Sequence, residues 1–443
     1  MILFAIASLA SSVFATDQYS AACCQSQSNV APSSEPQSLT PIDPGALLDE
    51  AWHLKLLEKG VNVSASYYLE FVGNPVGGAA HGFANAASFG FQLGLDLDKL
   101  ANIYGLSVFS SVCFRSGKNL SVTIDNEFTV AQLYGGETIR LNEVYLQETL
   151  FNGNFHLKAG RLTAGNDFLI SPFYCQFITL AICGNPIAVL LNTPFLDYPF
   201  STWGAYLDFK PLETWLLKFA VYNDNLSIKE NKYHGCNFTF KSTAGVMWMS
   251  EWVYLFNQAA NDNGYVGNYK LGGYYQTGKI NRFDGGSQTG NYGLYFLFDQ
   301  MLYRKYGPGT TQGLTVFGSF LFAPPNRNLF PYFFDFALIY KGLFLDRNRD
   351  YLSLGVAYGN YSTDLRAVEE QSKKSGIPSV YGNKPQTAET ILELNYWFRF
   401  NKWFALTPGF QYVINPKGYG TIPNAFVLEM QVSVDLIGLP TQP

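Results

Sequence analysis

Charge is scarce in this sequence. Only 14% of its 443 residues are Asp, Glu, Lys or Arg, against roughly 25% in soluble globular domains. A water-wrapped fold of this size needs a more charged skin, so an ordinary soluble domain is a poor fit. Long apolar runs are missing as well. The best rival, from Phe177 to Phe195, is interrupted by Gly184-Asn185-Pro186, which leaves pieces too short for about 30 Å of hydrocarbon. Mean hydropathy of +0.01 points the same way, against a helical membrane protein. Histidine is down to four, at positions 53, 81, 156 and 234, and none stands in a Ser or Asp arrangement with catalytic spacing. No enzyme chemistry is therefore expected. Outside Cys23-Cys24 no His or Cys pair sits beside carboxylates, so neither a metal nor another cofactor is expected, and no nucleic-acid partner.

Aromatic residues fill the gap, at 16% of the chain, with 37 Phe, 29 Tyr and 41 Gly. The amino terminus "MILFAIASLASSVFA" is apolar and ends in small residues suited to cleavage after Ala15, although no Lys or Arg precedes Lys55. Residues 1–15 are read as a signal peptide; a lipoprotein reading at Cys23 has a poor lipobox in Ser20-Ala21-Ala22. Residues 16–59 are read as a disordered Ser-, Gln- and Pro-rich leader followed by a short amphipathic helix over 44–59, ended by Gly60. Export implies an oxidising compartment, so cysteines can pair. Cys175 and Cys183 are close enough in sequence to close a small loop, and a disulfide there is the expected pairing.

From Gly60 onward a period of two recurs. Leu392, Leu394, Tyr396, Phe398 and Phe400 alternate with Glu393, Asn395 and Arg399, and the pattern resumes after Asn401-Lys402 with Phe404 and Leu406. The same alternation runs through Phe89–Asp98, Trp203–Lys210, Trp215–Tyr222, Asn291–Asp299 and Phe426–Val434. Such runs are strands with one greasy and one polar face. About sixteen are expected, an even number as bacterial outer-membrane barrels require. Tight turns at Asn152-Gly153, 211–213 and Asn401-Lys402 alternate with longer polar stretches at 74–86, 116–138, 164–202, 224–243 and 362–388. Short turns on one rim and long loops on the other are the layout of an all-β transmembrane antiparallel barrel over residues 60–443, with the short helix at its periplasmic end. Its greasy face meets lipid and its polar face an aqueous lumen. Aromatic strand ends such as Tyr396-Trp397 and Trp403-Phe404 are read as interfacial girdles.

Four blocks resemble the carbohydrate-selective porin family, the OprB family: "LLEKGVNVSASYYLEFVGNPVGG", "LDLDKLANIYGLSVFSSVCFRSGKNLS", "RLNEVYLQETLFNGNFHLKAGRLTAGNDFLISPFYCQFITLAICGNP" and "LELNYWFRFNKWFALTPGFQYVINPKG". The resemblance covers roughly Leu56 to Val434 and implies a sixteen-stranded diffusion channel narrowed by infolded loops, with homotrimers a further implication. The Cys-bearing loop is similar to that of the arginine-selective porins, which implies L-arginine uptake feeding an arginine and agmatine exchange system. The tail departs from the porin pattern, because "IGLPTQP" follows Leu436 in place of a terminal aromatic.

Selectivity in a wide barrel comes from charged or polar rings at a constriction. Alternation places Glu70, Asp96, Glu143, Glu251, Asp335, Glu393 and Glu429 inward, together with Arg115, Lys158, Lys218, Lys270 and Arg399. The bland reading is that many of these pair across neighbouring strands. The segment 164–202 is the expected constriction loop, and it adds Asp167 and Asp197 to the pore-lining candidates. A net charge of −5 tilts the expectation toward a cationic solute and so toward L-arginine. A sugar is the alternative solute, since aromatic rings near carboxylates suit either. A structural or adhesive barrel is the remaining alternative, which small inward residues such as Ser64, Ser66, Gly90, Gly94, Ser107 and Ser111 argue against.

Overall fold

The computed structural model describes residues 50–134, 136–258, 263–307, 310–377, 381 and 384–438; the expected signal peptide and the leader as far as residue 49 lie outside them. Sixteen antiparallel strands close into one barrel. They are β1 (Val61–Val76), β2 (Gly82–Asp96), β3 (Leu106–Gly117), β4 (Thr138–Leu150), β5 (Phe155–Leu162), β6 (Thr202–Leu212), β7 (Trp215–Asn223) and β8 (Val246–Phe256). The second half is β9 (Gly267–Asn281), β10 (Ser287–Arg304), β11 (Gly313–Phe322), β12 (Tyr332–Lys341), β13 (Tyr351–Asn360), β14 (Ala388–Arg399), β15 (Phe404–Ile414) and β16 (Ala425–Ile437). Every strand pairs with its neighbour in sequence, and β1 pairs with β16 from Ala65↔Ile437 to Val76↔Phe426.

The alternation sorts side chains as expected. Leu146, Phe219, Trp248, Leu271, Leu294, Phe320, Phe334, Leu354 and Leu428 all stand exposed on the outer face, whereas their inward neighbours Tyr145, Ala220, Met249, Tyr274, Tyr295, Phe333 and Val427 are buried. An outer face of this kind is stable only against hydrocarbon, and a closed barrel leaves no backbone N–H or C=O exposed to it. Among the described residues no helix is long and apolar enough to cross a membrane.

One boundary differs from the expected ones. The stretch expected as a loop at 74–86 is mostly strand, because Asn74 clasps the hairpin from within. Its side chain accepts from Gly82 N at 2.9 Å and donates to Gly77 O and Ala80 O at 3.0 and 2.8 Å, so β1 and β2 extend to within five residues of each other. The short helix α1 spans Glu50–Glu58, and residues 44–49 of the expected helix lie outside the described part. Gly60 stops it with φ +88°, where a Cβ would lie 2.9 Å from Asp96 O.

Two long loops turn into the barrel. Segment 118–137, with helix α3 (Leu120–Ile124), joins β3 to β4; segment 163–201, with helix α4 (Ile187–Asn192), joins β5 to β6. The second carries the apolar run that looked out of place for a loop. Phe168, Leu169, Tyr174, Phe177, Leu180, Ile182 and Val189 are all buried and form one core cluster with the inward side chains Tyr206, Tyr222, Met249, Tyr274, Tyr295 and Phe317. Burying side chains of this size stabilises the docked loop by about 1.5–3 kcal/mol each. The wall makes room for it: at inward-facing Gly355 a Cβ would lie 2.7 Å from both Ile182 Cδ1 and Phe177 Cε1.

Candidate functional site

The inward carboxylates of the wall spend their oxygens on the backbone of these loops. Glu70 accepts from Leu133 N at 3.0 Å and from Gln431 Nε2 at 2.8 Å. Glu143 accepts from Thr163 N and Asn166 Nδ2, each at 2.8 Å. Glu251 accepts from Leu169 N at 3.0 Å, Lys218 Nζ at 3.0 Å and Tyr295 OH at 3.2 Å. Glu393 receives two donors from adjacent peptides, Ile178 N and Thr179 N, both at 2.8 Å. Glu429 accepts from Gln411 Nε2. Peptide N–H groups folded into a barrel have lost water and need acceptors, and a carboxylate is the strongest acceptor a wall can offer.

The cations behave alike. Lys158 Nζ meets Asp167 of the loop at 2.8 Å, Lys218 Nζ donates to Asp167 O at 2.9 Å, and Lys270 Nζ donates to Ile170 O at 2.5 Å. Asp335 accepts from Ser319 Oγ at 2.5 Å on the neighbouring strand. Glu70, Glu143, Glu251, Asp335, Glu393, Glu429, Lys158 and Asp167 are all buried. Their observed partners are loop backbone, loop side chains and wall rather than open lumen.

Nearer the extracellular mouth, the guanidinium of Arg115 lies 4.9 Å over the Tyr198 ring. Asp197 of the infolded loop accepts from Tyr198 N at 2.7 Å. Burial pushes the Asp197 carboxyl up from 3.8 to about 7, partly offset by that peptide N–H and by Arg115 and Lys229.

Two expectations are corrected. Asp96 does not face a constriction. It is the last residue of β2 and caps helix α2 (Leu97–Ala101), accepting from Asp98 N and Lys99 N at 3.0 and 3.4 Å. The alternation still runs through Asp96, which pairs with Ser107, but its carboxylate is spent on the helix that follows. The second concerns the disulfide: Cys175 is disulfide-bonded, whereas Cys183 keeps its thiol, which donates to Gln132 Oε1 at 2.7 Å. The two are near in sequence, but Cys183 is buried in the loop's core while Cys175 borders a cavity beneath the loop.

That cavity has a volume of about 440 Å³, within the roughly 300–1,000 Å³ of small-molecule sites. Its roof is Cys175 and Gln176 of the infolded loop, held by Asn395 Nδ2, which donates to Gln176 O at 2.7 Å. Its walls are the periplasmic ends of β12 to β14 and the adjoining faces of β1 and β16. Tyr68, Tyr351 and Trp397 supply rings, Gln431 and Ser433 supply neutral hydrogen-bonding groups, and Lys341, Arg349, Arg399, Lys402 and Asp435 supply charge. Arg399 alone of the wall candidates opens here, donating to Asp435 Oδ2 at 3.1 Å with its guanidinium 5.2 Å over Trp397. Trp397 thus faces the lumen, not the membrane interface expected of it. The sequence offered a signal for the missed residues: Lys341 follows Asp335, Ala337 and Ile339 on the inward parity of β12. A larger concavity of about 530 Å³ is bordered by Leu157, Phe219, Trp248 and Leu294 on the outer face and is no part of the passage.

A sixteen-stranded barrel with a lipid-facing outer belt, two loops folded into its lumen and a polar cavity beneath them is an outer-membrane diffusion porin. The chain belongs to the carbohydrate-selective porin, OprB family, whose family model matches residues 80–436. It is 26% identical over 405 residues to Porin B of Pseudomonas aeruginosa, covering 85% of this chain and 88% of that protein. It is 23% identical over 405 residues to the putative porin QuiX of Acinetobacter baylyi, covering 86% and 90%. Among solved structures, the high-pH form of Pseudomonas putida OprB superposes with a TM-score of 0.82 at 24% identity, over 89% of this chain and 99% of that one. The low-pH form of the same protein gives 0.58 at 19% identity. These likenesses place the protein in a Gram-negative outer membrane and make it a channel.

Proposed function

We propose that the solute is a sugar of monosaccharide size, taken up by facilitated diffusion. The observation that carries this reading is the cavity under the infolded loop, where the rings of Tyr68, Tyr351 and Trp397 stand beside Gln176, Gln431 and Ser433. Sugars present flat C–H faces and a rim of hydroxyls, which aromatic rings and neutral hydrogen-bonding groups match together. Membership of the carbohydrate-selective family supports the same solute class.

L-Arginine rested on the net charge and on likeness to a subgroup. The family match is to carbohydrate-selective porins as a whole, and the wall glutamates that a guanidinium would need are engaged by loop N–H groups. The test is flux through the purified protein in liposomes, with D-glucose, maltose, L-glutamate and L-arginine compared at matched osmotic pressure. Glucose entering faster than arginine, with the difference reduced by Trp397→Ala, supports the sugar reading. Arginine entering faster, and slowed when Glu143, Asp167 or Glu251 is neutralised, overturns it.

A further inference from the structure

Cys175, at the roof of the cavity beneath the infolded loop, is disulfide-bonded. Among the described residues Cys113, Cys183 and Cys236 keep their thiols, so none of the three is its partner. The chain has six cysteines, and the two left over are Cys23 and Cys24 of the leader. Cleavage after Ala15 keeps both in the exported chain, close to its new amino terminus.

The leader joins the barrel on the side from which this cavity is entered. Helix α1, into which the leader runs, docks at the rim of short turns, where Lys99 Nζ donates to Leu57 O at 3.4 Å and Asp96 N donates to Gly60 O at 2.8 Å. Lys341, Arg349, Lys402 and Asp435 border the cavity at strand ends and turns of that same rim. Glu50 lies 26 positions after Cys24, and at roughly 3.3 Å per residue an extended chain of that length covers about 85 Å. The sixteen residues of β1 cover about 53 Å by the same measure. A chain rising through the lumen therefore has length to spare for reaching Cys175.

The composition of that stretch suits the path. Pro32, Pro36, Pro41 and Pro44 favour an extended chain, and each removes an N–H that would need an acceptor inside the barrel. Between Cys24 and Pro44 the bulky apolar residues are Val30, Leu39 and Ile42, too few to dock the segment by burial. A covalent bond at one end supplies instead the high effective concentration that holds a weakly binding segment in place.

We infer that Cys175 is bonded to Cys23 or Cys24, and that the bond draws the amino-terminal leader into the cavity beneath the infolded loop, where it narrows the passage. Leader and solute then compete for the rings of Tyr351 and Trp397. The bond forms when two thiols give up two protons and two electrons to a disulfide-bearing oxidant of the envelope, which leaves as two thiols. A dithiol reductant reverses the step and clears the cavity. The inference holds for any solute, so ionic conductance reads it independently of the sugar reading.

The experiment purifies the exported protein without reductant, alkylates its free thiols and maps its peptides by mass spectrometry without reduction. The expected result is a cross-linked peptide joining Cys175 to Cys23 or Cys24, from a band that runs as a monomer in the absence of reductant. In planar bilayers dithiothreitol is expected to raise single-channel conductance in potassium chloride. Cys23→Ser/Cys24→Ser is expected to start at the raised value and to lose the response to dithiothreitol. Both substitutions lie outside the barrel strands, and heat-modifiable mobility checks that the variant assembles; Cys175→Ser gives the same reading from the other end of the bond. Cys175 found alkylated, joined to Cys113, Cys183 or Cys236, or joined to a second chain overturns the inference, as does an exported chain that begins after Cys24. A cross-link to the leader whose reduction leaves conductance unchanged overturns it as well, because the leader then lies outside the passage.

Discussion

The lumen holds two populations of charged residues that look the same in a sequence and do different work. At the level of the infolded loops, Glu70, Glu143, Glu251 and Glu393 point inward and end on peptide N–H groups of the loops. Below the loop, Lys341, Arg349, Arg399 and Lys402 point into a cavity. Inward parity is common to both groups; depth relative to the loop separates them. A buried carboxylate under a loop is an anchor for that loop, while a cation below it borders a cavity. An ion filter therefore cannot be located by listing inward charges alone.

The largest effect is expected where one anchor holds two peptides. Glu393→Ala removes the acceptor of both Ile178 N and Thr179 N. With each buried N–H costing about 1–3 kcal/mol when left unmade, the loop is expected to undock, raising single-channel conductance severalfold and lowering the temperature of barrel unfolding. Unchanged conductance would break the comparison.

Next comes pH dependence at the mouth. Asp197 carries a carboxyl raised to about 7 by burial, against 3.8 ordinarily. Between about 4 and 7 the folded protein holds a proton that the unfolded chain has released, so folding stability falls as pH rises through that window. The slope is at most about 1.4 kcal/mol per pH unit. Asp197→Asn is expected to flatten the profile measured by thermal unfolding at stepped pH.

Gly355→Leu tests the apolar side of the same loop. A side chain forced against Ile182 and Phe177 is expected to cost about 1–3 kcal/mol and to raise conductance less than loss of Glu393 does. The smallest effect is expected at Asp96→Ala. Losing the cap of α2 costs about 0.5–1 kcal/mol by thermal unfolding, with sugar flux unaltered, since this carboxylate sits on the turn rim and not in the passage.

Much of this was open to reading. A period of two is a local signal, so strands, lipid face and barrel could be read from runs such as Phe426–Val434, and the apolar stretch at 177–195 signalled a loop that needed hiding. What escaped reading was non-local. That Glu393 would meet Ile178 and Thr179 depends on the path of a loop more than two hundred positions away in sequence. Aromatic strand ends usually belong to a girdle, and that habit draws Trp397 outward, although its own parity with Glu393 and Asn395 places it inward. Lys341 stood on a readable parity too, but at a strand end where the alternation stops giving warning. The disulfide failed for a related reason, because short separation in sequence says little once a loop folds into a core that parts its two ends.

The pairing of β1 with β16 has a consequence for how this protein comes into being. The seam joins the first and last strands of the barrel, Ala65 to Ile437 among them, so it is the most expensive contact in loop entropy and the one that depends on the last strand to be synthesised. Until that segment arrives the nascent sheet has two raw edges, each a row of unsatisfied peptide groups that a bilayer cannot solvate and a neighbouring chain can capture. A product truncated before Ala425 is not a slightly smaller channel; it is an open sheet primed to aggregate. Quality control in the envelope can then judge the whole molecule by a single question, whether its first strand has found its last.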